Sequence, residues 1–180
     1  MLDSATVPVL GIVATRSNSG KTTLLEKLIL SLAEHDVRVS VVKHVHHDFD
    51  LESPGKDSFR FRQAGSVQVM VASEQRWGLL TERSDSSQYP DLEYLIAQMD
   101  QSSIDLLLVE GLKESDVPKI EVSLEDEAAN LLCQHRSDVI AVATKTEMHG
   151  LPVPRLDIDD LDSVTRFVLQ WLGDNQPKSV

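Results

Sequence analysis

Thr15-Arg16-Ser17-Asn18-Ser19-Gly20-Lys21-Thr22-Thr23 decides the fold when read with its flanks. Ahead of it lies Val7-Pro8-Val9-Leu10-Gly11-Ile12-Val13-Ala14, a short continuous apolar run of the kind that forms a strand buried on both faces. Behind it, Lys21 to His35 places Leu24, Leu25, Leu28, Ile29, Leu32 and Ala33 on one helical face, with Glu26, Lys27 and Glu34 elsewhere. A Gly-Lys-Thr step at a strand-to-helix junction is the tail of a phosphate-binding loop. Gly20 lets the backbone turn so that successive N–H groups face phosphate oxygens, and the helix amino terminus adds its positive end. Lys21 is expected to reach the β- and γ-phosphates as a point charge, and the Thr22 hydroxyl to ligate Mg²⁺. Ser17, Asn18, Ser19, Gly20, Lys21, Thr22 and Thr23 therefore form the candidate nucleotide-binding set. Two positions depart from the usual pattern: Thr15 stands where the first glycine belongs, and Asn18 where a small residue is common.

Working outward, the same alternation continues. Val37 to Val42 reads as a second strand, which completes a βαβ unit with a right-handed crossover. Ser53-Pro54-Gly55 opens a short helix that Gly65 ends in the left-handed conformation. Val67 to Ala72 and Trp77 to Thr81 read as strands, Asp91 to Met99 as a helix, and Ile104 to Val109 as the most apolar, inner strand. Lys119 to Leu124 and Val139 to Thr144 follow as strands, and Leu161 to Leu172 as a closing helix capped by Asp159 or Asp160. This order predicts a three-layer α/β/α domain of the P-loop NTPase type with a mostly parallel, mixed sheet. It spans residues 1–180, with a possible ribbon excursion around 67–82 that would seek a partner edge. Trp77 reads as a core residue ahead of an interface one.

Composition narrows the partners. Seventeen Lys and Arg against 29 Asp and Glu leave the chain with a formal charge of −12. Such a surface repels nucleic acid and anionic membranes, so any phosphate must be held locally by a few cations and N–H groups. One cysteine, Cys133, cannot form an internal disulfide or a multi-thiolate zinc site, and reads as a small buried side chain. The amino terminus carries no Lys or Arg ahead of its apolar stretch, unlike a secretory signal. The expectation is a soluble cytoplasmic protein.

A P-loop needs a carboxylate from a neighbouring strand to hold the magnesium shell. Leu106-Leu107-Leu108-Val109-Glu110-Gly111 supplies it: four apolar residues carry the strand through the core, and Glu110 emerges at its carboxyl end. Gly111 is expected to leave room for backbone near the γ-phosphate. Lys43-His44-Val45-His46-His47-Asp48 leaves the second strand over the same edge. Lys43 is assigned as a catalytic cation beside Lys21. His44, His46 and His47 are open to three readings: metal ligation, substrate or phosphate contact, or polar loop packing. Lys56, Arg60 and Arg62 add local positive charge, or pair with nearby acids. Asp157, Asp159, Asp160 and Asp162 fit helix capping rather than a cation site.

Taken together, SNSGKTTLLEKLI (17–29), VVKHVHHDFDLESPGKDSFRFRQAG (41–65), VMVASEQRW (69–77) and LLLVEGLK (106–113) resemble the molybdopterin-guanine dinucleotide biosynthesis protein B (MobB) family. The resemblance implies a GTP-binding adapter with weak intrinsic GTPase activity, typically a homodimer. It would act beside the MobA-type molybdopterin guanylyltransferase that joins GMP to Mo-molybdopterin. A more distant likeness to dethiobiotin synthetase, whose strand also ends in Val-Glu-Gly, implies that Asp57 joins Thr22 and Glu110 around Mg²⁺. It also keeps open an ATP-dependent small-molecule kinase or ligase, although no Arg-rich lid is evident. A third possibility is a scaffold that binds partners without turning over nucleotide. Thr144-Lys145-Thr146-Glu147 echoes the Asn/Thr-Lys-x-Asp guanine motif of GTPases, with Glu in place of Asp, or is a solvated loop.

Overall fold

Every residue of β1 (Val9–Val13) is buried, as its unbroken apolar run requires. A strand of that kind needs a parallel neighbour on each side and cover on both faces, and the rest of the chain provides both. The structure is a computed structural model that describes residues 2–16, 19–45, 55–83, 90–124 and 128–176. After β1 come α1 (Lys21–Glu34), β2 (Val39–Lys43), α2 (Asp57–Gln63), β3 (Gln68–Ala72), β4 (Trp77–Thr81) and α3 (Leu92–Ala97). Then follow β5 (Leu106–Glu110), β6 (Lys119–Ser123), β7 (Val139–Thr144), β8 (Arg155–Asp157) and α4 (Leu161–Asn175). Among the described residues no helix is long and apolar enough to cross a membrane.

The chain divides into two compact units, residues 1–44 with 91–180, and residues 45–90. The first unit holds a six-stranded sheet in the order β2-β5-β1-β6-β7-β8. Every pairing within it is parallel. The antiparallel pair β3–β4 forms a sheet of its own, so the expected mixed character resolves into two separate sheets. On one face, Leu10, Ile12, Leu108, Ile120 and Ala143 pack against Leu24, Leu28 and Leu32 of α1 and Val164 and Val168 of α4. Each fully buried leucine there contributes roughly 1.5–3 kcal/mol. On the other face, Val9, Leu107 and Val109 meet Leu92 and Ile96 of α3 and Val117 of the β5–β6 connection.

That second face carries charges that the alternation of β6 did not advertise. Lys119 and Glu121 are both 0% exposed, with Ser123 buried beside them, while Ile120 and Val122 face the leucine core. Room exists because Gly11 lies opposite: a Cβ there would sit 3.0 Å from Lys119 Cβ. The Lys119 ammonium donates to the Asp138 carboxylate and the Ser115 carbonyl. Asp138 also accepts from Arg136 Nε at 3.0 Å and Nη2 at 2.8 Å. Arg136, together with Lys119, holds the Asp138 carboxyl far below its usual range. Glu121 is shifted the other way, upward, by burial, although its oxygens accept from Leu132 N at 2.8 Å and Cys133 N at 3.0 Å. Cys133 is buried, and burial pushes its thiol up, so it is a poor nucleophile.

The second unit places α2 with the β3–β4 hairpin, whose tight turn is fastened by Ser73 N–H to Arg76 O at 2.8 Å. Gly65 follows α2 at φ +99°, the left-handed conformation expected there. Ser53 and Pro54 fall outside the described residues. The ribbon is apolar yet open: Met70 is 61% and Trp77 65% exposed. Trp77 therefore is not a core residue, because the strand register puts it with Met70 and Leu79 on the face opposite buried Val69.

Asp138→Ala leaves Lys119 buried without its carboxylate and is expected to cost about 3 kcal/mol in urea unfolding. Because the Asp138 carboxyl is depressed in the folded state, its contribution is present at neutral pH and fades as pH falls below about 4. Asp138→Asn is expected to flatten the acid limb of the unfolding midpoint against pH.

Candidate functional site

The sheet brings its carboxyl ends to one edge, and the candidate residues of the first unit collect there. β1 ends at Val13, and α1 starts on Gly20, which sits at φ +86° as the helix N-cap. The contrast with the other long helix is informative. α4 starts on Asp160, whose carboxylate accepts Ser163 N–H, whereas α1 has no side-chain cap bond and no acid in its first turn. The positive end of a 14-residue helix is thus offered to an external anion. Lys21 curls over the loop, its Nζ reaching Ser19 Oγ at 3.4 Å and Arg16 O at 3.5 Å. These are long contacts that a phosphate oxygen readily replaces. Thr23 is exposed on the same turn. Ser17 and Asn18 lie outside the described residues.

Glu110 joins the pieces. Strand register sets it beside Ile12 of β1 and Lys43 of β2. Its carboxylate accepts the Thr22 hydroxyl at 2.9 Å through Oε1 and meets Lys43 Nζ at 3.3 Å through Oε2. The glutamate side chain is only 12% exposed and the lysine 52%, so the acid is fixed and the cation can swing. Gly111, at φ +92°, faces His44: a Cβ there would lie 3.5 Å from His44 Cβ. The room it leaves is taken by His44, whose carbonyl oxygen would lie 3.7 Å from that Cβ. His44 N–H donates to Glu110 O at 3.0 Å, which locks the end of β2 to the end of β5.

This donor set fits Mg²⁺. The Thr22 hydroxyl and the Glu110 carboxylate converge, joined by a hydrogen bond, and both are the hard oxygen donors that this ion would take. One hydroxyl and one carboxylate leave the other positions to water and phosphate, the usual arrangement for this ion beside a nucleotide. Among the described residues no group of three or more His, Cys, Asp and Glu could hold a metal. His46 and His47 lie outside the described residues. Asp57 opens α2 in the second unit, where its carboxylate is 3.4 Å from Arg60 Nη1. Of the cations suspected near the histidines, Arg60 pairs with Asp57 and Arg62 with Glu82 at 2.8 Å.

The loop after β7 is more ordered than a solvated connection. Lys145 Nζ pairs with Asp159 at 3.0 Å, and Glu147 with Arg155 at 3.1 Å. Sequence reading missed Arg155 altogether. It lies in β8, a three-residue strand with one buried position, too short to carry a pattern.

The sheet order, the glycine-capped α1 and the Thr22–Glu110 clasp define a protein with a P-loop NTPase-like α/β fold, and that fold implies nucleotide binding. Comparison with known proteins agrees. Residues 9–145 match the family model described as molybdopterin guanine dinucleotide synthesis protein B. The chain belongs to this family. It is 42% identical over 177 residues to the molybdopterin-guanine dinucleotide biosynthesis adapter protein of Escherichia coli, covering 96% of this chain and 97% of that one. A protein of the same name from Haemophilus influenzae is 42% identical over 168 residues, covering 92% and 90%. Among solved structures, a MobB homologue from Bacillus stearothermophilus superposes with a TM-score of 0.71 at 25% identity, covering 93% of this chain and 99% of that one.

Glu110→Gln keeps the shape of the clasp and removes its charge. It is expected to weaken Mn²⁺ binding to the nucleotide-loaded protein by at least about tenfold in spin-resonance titrations.

Proposed function

We propose that this chain is the adapter of molybdopterin guanine dinucleotide assembly, binding GTP with Mg²⁺ at the P-loop edge. It works in the cytoplasm beside a MobA-type guanylyltransferase acting on Mo-molybdopterin. The observation that carries the reading is the Thr22–Glu110–Lys43 cluster, which stands next to the glycine-capped start of α1 in a chain of this family.

In this reading, N–H groups from Ser17 to Lys21 hold the β- and γ-phosphates, Lys21 neutralises them, and Thr22 and Glu110 hold the metal, with Asp57 assigned as a further contact. Bound Mg²⁺ supplies charge neutralisation on the phosphates. Lys43, the mobile member of the cluster, turns from Glu110 toward the γ-phosphate. Turnover is slow because Glu110, the carboxylate fixed at this edge, is committed to Thr22 and the metal and does not serve as a base for water. Stimulation of cofactor guanylylation without phosphorylation of an acceptor separates an adapter from a kinase of the dethiobiotin synthetase type.

The homodimer expected from the resemblance has a natural seat in the second unit. The ribbon β3–β4 is a two-stranded sheet carrying exposed Met70, Val71, Trp77 and Leu79. Exposed apolar strands at a sheet edge pair with another chain.

Lys21→Ala is expected to abolish GTP binding by calorimetry with the fold unchanged; wild-type affinity in that variant overturns the site. Trp77→Glu, a change at an exposed position, is expected to turn a sedimenting dimer into a monomer with unchanged GTP affinity.

A further inference from the structure

The loop after β7 is held by one guanidinium. Arg155 Nε donates to Thr146 O at 2.8 Å, Nη2 to Lys145 O at 3.3 Å, and Nη1 meets Glu147 Oε1 at 3.1 Å. Thr144 Oγ1 accepts Thr146 N–H at 3.2 Å, and Lys145 is tethered by Asp159 at 3.0 Å. A solvated turn needs no such bracing. Arg155 is 21% exposed, whereas the Glu147 side chain is 78% exposed, so the arginine is structural and the carboxylate is presented outward.

Position matters as much as rigidity. β7 is parallel to β1 and lies two strands away, about 10 Å across the sheet, so its carboxyl end opens on the same edge as the phosphate loop. Ile158, just after β8, bridges the end of β7 and the start of α1. Ile158 N–H donates to Thr144 O at 3.2 Å, and Ile158 Cδ1 lies 4.0 Å from where a Gly20 Cβ would be. A nucleotide whose phosphates rest on the start of α1 can lay its ribose and base over Ile158 on the side of the β7 loop.

We propose that Thr144–Glu147 is the base-reading loop of this protein: Glu147 reads the guanine edge, and Arg155 is the positioning residue that presents it. Guanine offers two adjacent donors, N1–H and the 2-amino group, and a carboxylate accepts both. Arg155 occupies one lone pair of Oε1; the remaining sites of the carboxylate stay available. The Lys145 stem lies along the base. Adenine has no donor pair at that edge, and xanthine replaces the amino group with a carbonyl.

The inference rests on the GTP reading above, and one experiment separates the two. Calorimetry on the full chain is run with GTP, ATP, xanthosine triphosphate and base-free tripolyphosphate. Wild-type protein is expected to prefer GTP. Glu147→Gln, whose amide donates to the xanthine carbonyl while its oxygen accepts N1–H, is expected to shift the ratio toward xanthosine triphosphate by at least about tenfold. Arg155→Met is expected to lose the preference for GTP over ATP while its tripolyphosphate affinity stays at the wild-type value. A Glu147→Gln protein that binds GTP with the wild-type ranking overturns the base-reading loop and leaves the GTP reading intact. So does an Arg155→Met protein that loses tripolyphosphate in step with the nucleotides. A wild-type chain that binds none of these ligands, or favours ATP, overturns the GTP reading and the loop together.

Discussion

The carboxylate of Glu110 is the constraint on which the site depends. It can meet Thr22 and Lys43 together only because β5 lies between β1 and β2, so one strand end faces both the helix that follows β1 and the last residue of β2. Any other strand order would separate these partners by at least another strand width of about 4.8 Å. The parallel direction matters equally, since it brings all three carboxyl ends to one edge. The buried leucines on either side serve this geometry: they fix β5, and β5 fixes the acid.

Much of this was legible in the residues. A continuous apolar run, a Gly-Lys-Thr step and a 3.6-residue leucine pattern admit few structures, and β1, the glycine cap and α1 follow from them. Glu110 was legible because four apolar residues lead into a lone acid, which marks a strand leaving the core. The partner of the β7 loop was not. Arg155 sits in a strand of three residues, and nothing local distinguishes it from a surface arginine. Its role comes from a reach back across some ten residues to carbonyl oxygens, and backbone acceptors have no signature in side-chain chemistry.

Two other surprises share a physical origin. Lys119 and Glu121 alternate with Ile120 and Val122, the pattern of a strand with one wet face. That face is nevertheless dry, because the β5–β6 connection supplies Ser115 to Lys119 and the β6–β7 connection brings Leu132 and Cys133 to Glu121. Local alternation reports polarity, whereas burial depends on what a later segment lays on top. Trp77 is the reverse case. An aromatic in an apolar strand reads as core, but only the Val69 face of this ribbon is covered, and Trp77 lies on the other.

The strand order also governs how the chain must assemble. The Thr22–Glu110 contact spans 88 residues, and β1 has as its neighbours only β5 and β6, both later than residue 105. As the polypeptide leaves the ribosome, the fully buried strand β1 emerges about 95 residues ahead of either neighbour and waits unpaired until they have been made. Topologies dominated by such distant pairings nucleate slowly, because loop closure precedes any gain from contact. The nascent chain therefore carries a sticky, orphaned segment for several seconds at ordinary elongation speeds of roughly 5–20 residues per second, a natural client for holding chaperones.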